Sequence, residues 1–137
     1  MVDVPPELLD RVRSICLGLP ETYEERAWVG VRWRVRQRTF AHLFTLGADS
    51  SSVLRGSFDL EGEATAVTFR VPADELRALS AAGPPFHYAG WGRDVMGMHL
   101  DATTDWVEVA EVLTDSYCLL APQKLVARVD RPSDVND

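Results

Sequence analysis

Four arginines alternate within the stretch "GVRWRVRQRTFAH", residues 30–42 of the sequence. The arginine fork donates paired hydrogen bonds to phosphate oxygens, so this spacing suits the binding of a polyanion. Residues i and i+2 of a strand lie about 6.6 Å apart on one face, which would make three of these arginines a ladder about 13 Å long. The sequence therefore suggests a candidate nucleic-acid-binding site, which consists of the ladder residues Arg32, Arg34 and Arg36 together with Arg38 at the hairpin tip.

The same pattern has a more ordinary explanation. Charge runs are usually solvated faces, and arginines on the open side of a sheet commonly pair with acids of a neighbouring element. The chain has 21 acidic residues and a net charge of −7. Residues 26–48 hold five arginines and no acid, so the rest of the chain has a net charge of −12, which offsets this +5 to give the total of −7. The acidic total counts against a strong non-specific DNA-binding protein, whereas the segregation of charge favours a local site.

A second group of candidate residues surrounds Trp91, which stands between two glycines and shortly precedes Arg93. An exposed tryptophan beside an arginine can stack on a base or another flat ligand, and His87 is close in sequence. Alternatively, Trp91 closes the edge of the core and its glycines serve a turn. Ligand binding near Trp91, His87 and His99 is therefore a separate hypothesis.

Other kinds of chemistry find little support in the spacing of reactive residues. The three histidines, which include His42, form no H-x-H or HExxH pattern and have no cysteine beside them, so no metal site is predicted. Glycine patterns for dinucleotides or for a P-loop are absent from the sequence. Ser116 lies in no nucleophile elbow, and Asp115 or Ser116 is predicted to cap a following turn. We therefore predict a non-enzymatic protein with no cofactor.

The elements that position these candidates follow from hydrophobic periodicity. "PPELLDRVRSICLGLP" has apolar residues at helical spacing, and "ETYEERA" is predicted as a polar connection. The period then changes to two, which places Val29, Val31, Trp33 and Val35 on one side of a strand and Arg32, Arg34 and Arg36 on the other. "TFAHLFTLG" is apolar on both sides and is predicted as a central returning strand. Gln37 is a poor residue for a tight turn, so a longer or strained loop is expected.

The whole pattern predicts a two-layer α+β fold with one antiparallel sheet and helices mainly on one face, in the order α-β-β-β-α-β-β-α-α. Further strands are predicted at "TAVTFRV", "FHYAGWG" and "DVMGMHL", and further helices at "PADELRALSAAG", "WVEVAEVLTDSY" and "PQKLVARV". One domain is expected over residues 1–129, with a frayed tail over 130–137. No signal-peptide pattern and no apolar run of about 18 residues occur, so a cytoplasmic protein without a membrane segment is expected.

Three stretches together resemble the MmcQ/YjbR family of small bacterial proteins: "CLGLPETYEERAWVGVRWRVRQRTFAHL", "TFRVPADELRALSAAGPPFHYAGWGRDVMGMHLD" and "DWVEVAEVLTDSYCLLAPQKLVARV". The resemblance runs from Cys16 to Val129 and depends on the order of its pieces. It implies a compact two-layer fold similar to secretion-chaperone-like domains, and DNA binding through a double-wing motif. It brings no catalytic signature, and it would place a glycine where Gln37 stands.

Three classes of function follow from these observations. The first is a small non-enzymatic protein that binds DNA or another polyanion through its arginine-rich hairpin. The second is a protein-interaction module, suggested by the acidic remainder of the chain and the chaperone-like fold. The third is a small-ligand protein with a pocket near Trp91. In each case a monomer or a weak dimer is expected.

Overall fold

The computed structural model of the protein describes residues 4–46, 63–88 and 92–129. Its strands are β1 (Tyr23–Arg26), β2 (Val31–Val35), β3 (Arg38–Leu46), β4 (Ala64–Arg70), β5 (Phe86–His87) and β6 (Val95–Leu100). Its helices are α1 (Pro6–Leu17), α2 (Ala73–Ala82), α3 (Trp106–Leu120) and α4 (Gln123–Val126). The predicted tail over residues 130–137 lies outside the described residues.

The six strands form one antiparallel sheet in the order β1-β2-β3-β4-β6-β5. This confirms the α+β class and the single antiparallel sheet, and it places β3 centrally as predicted. The sheet also contains one strand more than the predicted order, because β1 lies within "ETYEERA". The sequence did not predict this strand because the segment has no alternation of apolar residues. β1 is an edge strand that is only partly buried, and it is held in place by its pairing with β2 and not by a buried apolar face.

Helices cover one face of the sheet, which we call the inner face. Side chains from α1, α3 and α4 join the inward residues of the strands in one core cluster. On α3 the buried residues Val109, Leu113 and Tyr117 recur every fourth position and so form one stripe against the sheet. On the opposite or outer face, Phe44, Leu46 and Ala66 form a smaller buried cluster. Val29 packs against this cluster, so its predicted place on the inner side is wrong; the positive φ of Gly30 interrupts the alternation just before β2.

A two-residue turn joins β2 to β3. Arg36 and Gln37 both have left-handed backbone angles, with φ of 50° and 65°. Positive φ at both central residues matches the twist of paired strands and is costly for residues other than glycine, asparagine or aspartate. The prediction of strain at Gln37 is therefore confirmed, whereas the longer loop offered as its alternative does not occur.

The "SY" pair of α3 connects the helix to the sheet. Ser116 is fully buried; its hydroxyl donates to the carbonyl of Phe40 (2.6 Å) and accepts from the backbone N–H of Arg70 (2.7 Å). The Tyr117 hydroxyl donates to the carbonyl of Pro20 (2.8 Å). The predicted cap at Asp115 or Ser116 is wrong, because α3 continues without a break to Leu120 and Ser116 satisfies backbone groups of β3 and β4 instead.

Among the described helices, none combines the length and the hydropathy required to cross a membrane.

Candidate nucleic-acid interface

Strand β1 brings a carboxylate to the outer face, between two arginines of β2. Glu25 is paired with Arg32 in the sheet register. Its Oε1 accepts hydrogen bonds from Arg32 Nη2 (2.7 Å), Arg32 Nε (3.0 Å) and Arg34 Nη1 (3.3 Å). These guanidiniums, Arg32 foremost, hold the pKa of Glu25 below its ordinary value. Because two arginines share one carboxylate, these three side chains together have a net charge of +1.

The two arginines differ in accessibility. The side chain of Arg34 is 21% exposed, compared with 38% for Arg32. Arg34 also donates through Nη2 to the carbonyl of Gln37, and its buried Nε has no hydrogen-bond partner within the described parts of the chain. Arg34 is thus built into the hairpin, whereas Arg32 presents the more available guanidinium.

A second shared carboxylate lies at the hairpin tip. Glu21 forms an ion pair with Arg36 (Nη2 to Oε1, 3.2 Å), and its Oε2 lies 3.7 Å from Nη1 of Arg128, which follows α4. Arg38 pairs with Val35 across the hairpin, so its side chain leaves from the inner side of the sheet. It is exposed and forms no ion pair or side-chain hydrogen bond with any residue of the described segments.

The four predicted arginines therefore occupy two places instead of one continuous ladder. Two lie on the outer face and two at the tip, because the left-handed turn interrupts the alternation of the strand. The surface that they define, which we call the hairpin cluster, consists of Arg32, Arg34, Arg36, Arg38, Arg128, Glu21 and Glu25. Five arginines and two glutamates give this cluster a net charge of +3 in a chain whose total is −7.

A pocket of about 440 Å³ opens on the outer face, between the β1–β2 turn and Thr39 of β3. Its apolar walls come from Ala27, Trp28, Val29, Phe44 and Leu46, and its polar lining comes from Arg32, Thr39 and His42. The indole of Trp28 is 84% exposed at the rim. The pocket therefore combines an apolar floor, an exposed flat ring and a cation.

Gly30 allows the β1–β2 turn to form one wall of this pocket. Its φ is 77°, and a Cβ at this position would lie 2.0 Å from the carbonyl oxygen of Leu43 and 2.9 Å from the backbone of Phe44. The turn is closed by a hydrogen bond from Ala27 N–H to the Gly30 carbonyl (3.0 Å). Only glycine fits both the backbone conformation and this close approach to β3.

His42 lies in the pocket without carrying charge at neutral pH. Its Nε2 donates to the carbonyl of Val29. Burial, followed by the positive charge of Arg32, lowers the pKa of His42 below its ordinary value. Because Arg32 and His42 are register partners, the guanidinium lies beside the uncharged floor of the pocket.

The second predicted group is only partly within the described structure. Trp91 lies outside the described residues. Arg93 is exposed, and His87 lies on the outer face opposite Gly97. His99 lines a different pocket of about 360 Å³ beside Asp101, its Nδ1 lying 3.8 Å from a carboxylate oxygen.

Within residues 4–46, 63–88 and 92–129, no three His, Cys, Asp or Glu side chains converge as metal ligands would.

Sequence reasoning missed both Glu25 as the partner of the arginines and Trp28 as the rim of a pocket. For the pocket, a signal was present in β3, where Phe44 and Leu46 put large apolar groups on the same face as the arginines of β2. A purely solvated face would not carry them. For Glu25, a polar edge strand offers no comparable signal.

The fold and this surface define a class of protein: an α+β domain with one helix-covered antiparallel sheet and a basic β2–β3 hairpin. The family model described as YjbR matches residues 17–119, which is most of the chain. The protein therefore belongs to the YjbR family, as its resemblance predicted.

Solved structures share this fold. A Deinococcus radiodurans protein with a DUF419 domain aligns with a TM-score of 0.58 at 18% identity, over 82% of this chain and 77% of that one. A Pseudomonas syringae protein aligns with a TM-score of 0.62 at 13% identity, over 85% of this chain and 97% of that one. Identities this low establish likeness of fold alone. No curated protein matches the sequence.

Proposed function

We propose that the protein binds nucleic acid through the hairpin cluster, and that it acts by binding, without a catalytic step. The observation that carries this proposal is the sharing of carboxylates: Glu25 serves two arginines, Glu21 serves two more, and Arg38 is paired with none of the described residues. Such an arrangement leaves positive charge uncompensated in an otherwise acidic chain. The DNA-binding role implied by the family resemblance requires a local charge of this kind.

The existing ion pairs do not prevent phosphate binding. Exposed pairs of this type add little to stability, so a phosphate can replace Glu25 beside Arg32 at little cost. Arg32 is the more exposed partner of Glu25, and Arg38 needs no exchange at all. Each phosphate contact also releases condensed counterions, which strengthens binding at low salt.

The proposal is tested by fluorescence anisotropy with labelled single-stranded and duplex DNA at about 50 mM and about 200 mM salt. Arg38→Ala should weaken binding and lower the slope of log affinity against log salt by about one. Arg77→Ala is the matched control, since Arg77 is exposed on α2, far in sequence from the hairpin, and loses the same charge. Undetectable binding of both DNA forms at about 50 mM salt, or equal effects of the two substitutions, would contradict the proposal.

A cytoplasmic location is part of the same proposal, as is a monomeric or weakly dimeric state. Size-exclusion chromatography with light scattering, carried out with and without DNA, tests the latter.

A further inference from the structure

The most exposed large apolar side chain of the described residues stands at the end of the hairpin cluster. Trp28 is 84% exposed, whereas the other tryptophan beside the arginines, Trp33, is fully buried. Large exposed aromatic rings on soluble proteins commonly mark binding sites. Trp28 is also not isolated, because it forms the rim of the outer-face pocket.

The size and lining of that pocket restrict its ligand. Its volume of about 440 Å³ lies within the range of sites that enclose a small ring-containing group. Phe44, Leu46 and Val29 supply apolar surface, while Thr39 and His42 supply polar atoms without net charge. A charged group would thus be poorly solvated on the floor of the pocket, whereas an uncharged flat ring would fit.

The positive charge that would bind an anionic group of the ligand lies at one side of the pocket. Arg32 lines the pocket, and Arg34 follows about 6.6 Å further along the same face. A ligand that satisfies both features carries an uncharged flat ring with an anion attached beside it, and further anions at intervals. Nucleotides in a chain have this constitution, because each unit joins one base to one phosphate.

The concave shape of the pocket suits one form of nucleic acid better than another. In a duplex the bases are paired and stacked, so none can enter a concave site without being unpaired. An unpaired base can stack on an aromatic side chain while its phosphates follow a basic surface. We infer that the outer-face pocket holds one unpaired base of a single-stranded nucleic acid, stacked on Trp28, with the adjoining phosphate on Arg32. This inference rests on the proposed function and specifies its ligand.

The test compares three forms of one labelled oligonucleotide of about 12 nucleotides: the single strand, its duplex, and the strand with abasic positions. Wild type should bind the intact strand about tenfold or more tightly than either other form. Trp28→Ala should remove that preference, and Trp28→Phe, which keeps a flat ring, should retain most of it. Tyr88→Ala, which removes another exposed aromatic ring, is the control and should leave the preference unchanged.

Several outcomes would overturn the inference. Equal binding of the intact and abasic strands would do so, as would a Trp28→Ala effect of the same size on strand and duplex. Displacement by a free nucleoside monophosphate as effective as displacement by the strand would identify a small-ligand site instead. Displacement by an acidic, phenylalanine-containing peptide as effective as unlabelled strand would identify a protein partner.

The failure of this inference and that of the proposed function are distinguishable. If duplex binds with an affinity that depends on Arg38 but strand binding does not depend on Trp28, only the pocket assignment is lost. If neither form binds, both are lost. Because Trp28 is exposed, Trp28→Ala should fold, and its circular dichroism spectrum checks this.

Discussion

Glu24 and Glu25 are neighbours in β1, yet their carboxylates act on opposite faces of the sheet. Glu24 accepts hydrogen bonds on the inner face from Arg13 (2.8 and 3.0 Å) and from the indole of the buried Trp33 (3.0 Å). Glu25 accepts from the arginines of the outer face. One acidic pair in an edge strand thus anchors α1 and the core on one side and restrains the proposed binding surface on the other.

Glu25→Gln should increase affinity for nucleic acid. The substitution removes the charge that Arg32 and Arg34 share, so both guanidiniums become available to phosphate. We expect a gain of about two- to fivefold at low salt, the size of one exposed ion pair. Glu111→Gln, which makes the same charge change on the exposed side of α3, is the control. If the two variants gain equally, the effect is one of overall charge and Glu25 does not restrain the site.

The anchor at Glu24 should appear in the pH dependence of stability. The hydrogen bond from Arg13 holds the pKa of Glu24 below its ordinary value of 4.5. A carboxyl whose pKa is lowered on folding stabilises the protein above its unfolded pKa, and this contribution is lost as the pH falls through the folded pKa. Urea unfolding of wild type and Glu24→Gln between neutral and acid pH measures it.

The difference in unfolding free energy between these two proteins should be largest near neutral pH and shrink below about pH 4.5. Other carboxyls with lowered pKa values, such as Glu25 and Asp101, account for acid sensitivity that remains in Glu24→Gln. A difference that does not change with pH would show that Glu24 contributes by packing alone.

Gly30→Ala should destabilise the protein more than Gly83→Ala. Both glycines have positive φ, 77° and 79°, so each substitution carries backbone strain of about 1–3 kcal/mol. At Gly83 the new Cβ meets nothing within 4 Å, whereas at Gly30 it meets Leu43 oxygen at 2.0 Å. Urea denaturation gives the comparison. Equal losses would indicate that the β1–β2 turn moves freely away from β3, and the pocket would then lack a fixed wall.

Ser116→Ala should lower the free energy of unfolding by about 1–3 kcal/mol, because it leaves a buried backbone N–H and a buried carbonyl without their partner. Ser80→Ala, at an exposed position of α2, should change it by less than about 0.5 kcal/mol. Equal values from thermal or urea unfolding would mean that water takes over both bonds of Ser116.

The candidate site was partly predictable from the sequence. Alternation at period two is a local property, so it correctly assigned Trp33 and Val35 to the core and Arg32 and Arg34 to the other face. The turn at Arg36 and Gln37 interrupts this alternation, and the sequence indicated it only through Gln37, which is an unfavourable residue for a tight turn. The predicted cap at Ser116 failed because its true partners, Phe40 and Arg70, are distant in the chain and the sequence does not indicate them.

By itself, then, the sequence determined the α+β class, the central β3, the two sides of β2 and the membership of a family, all of which depend on local periodicity or on the order of segments. The tertiary structure alone decided which charges face one another. Glu25 reaches Arg32 only because β1 pairs with β2, and Trp28 borders a pocket only because Gly30 allows the turn to approach Leu43. The apolar residues of β3 indicate a nonpolar patch on this face, but the sequence does not indicate the pairing of Glu25 or the close approach at Gly30, since both are set by the packing of separate segments.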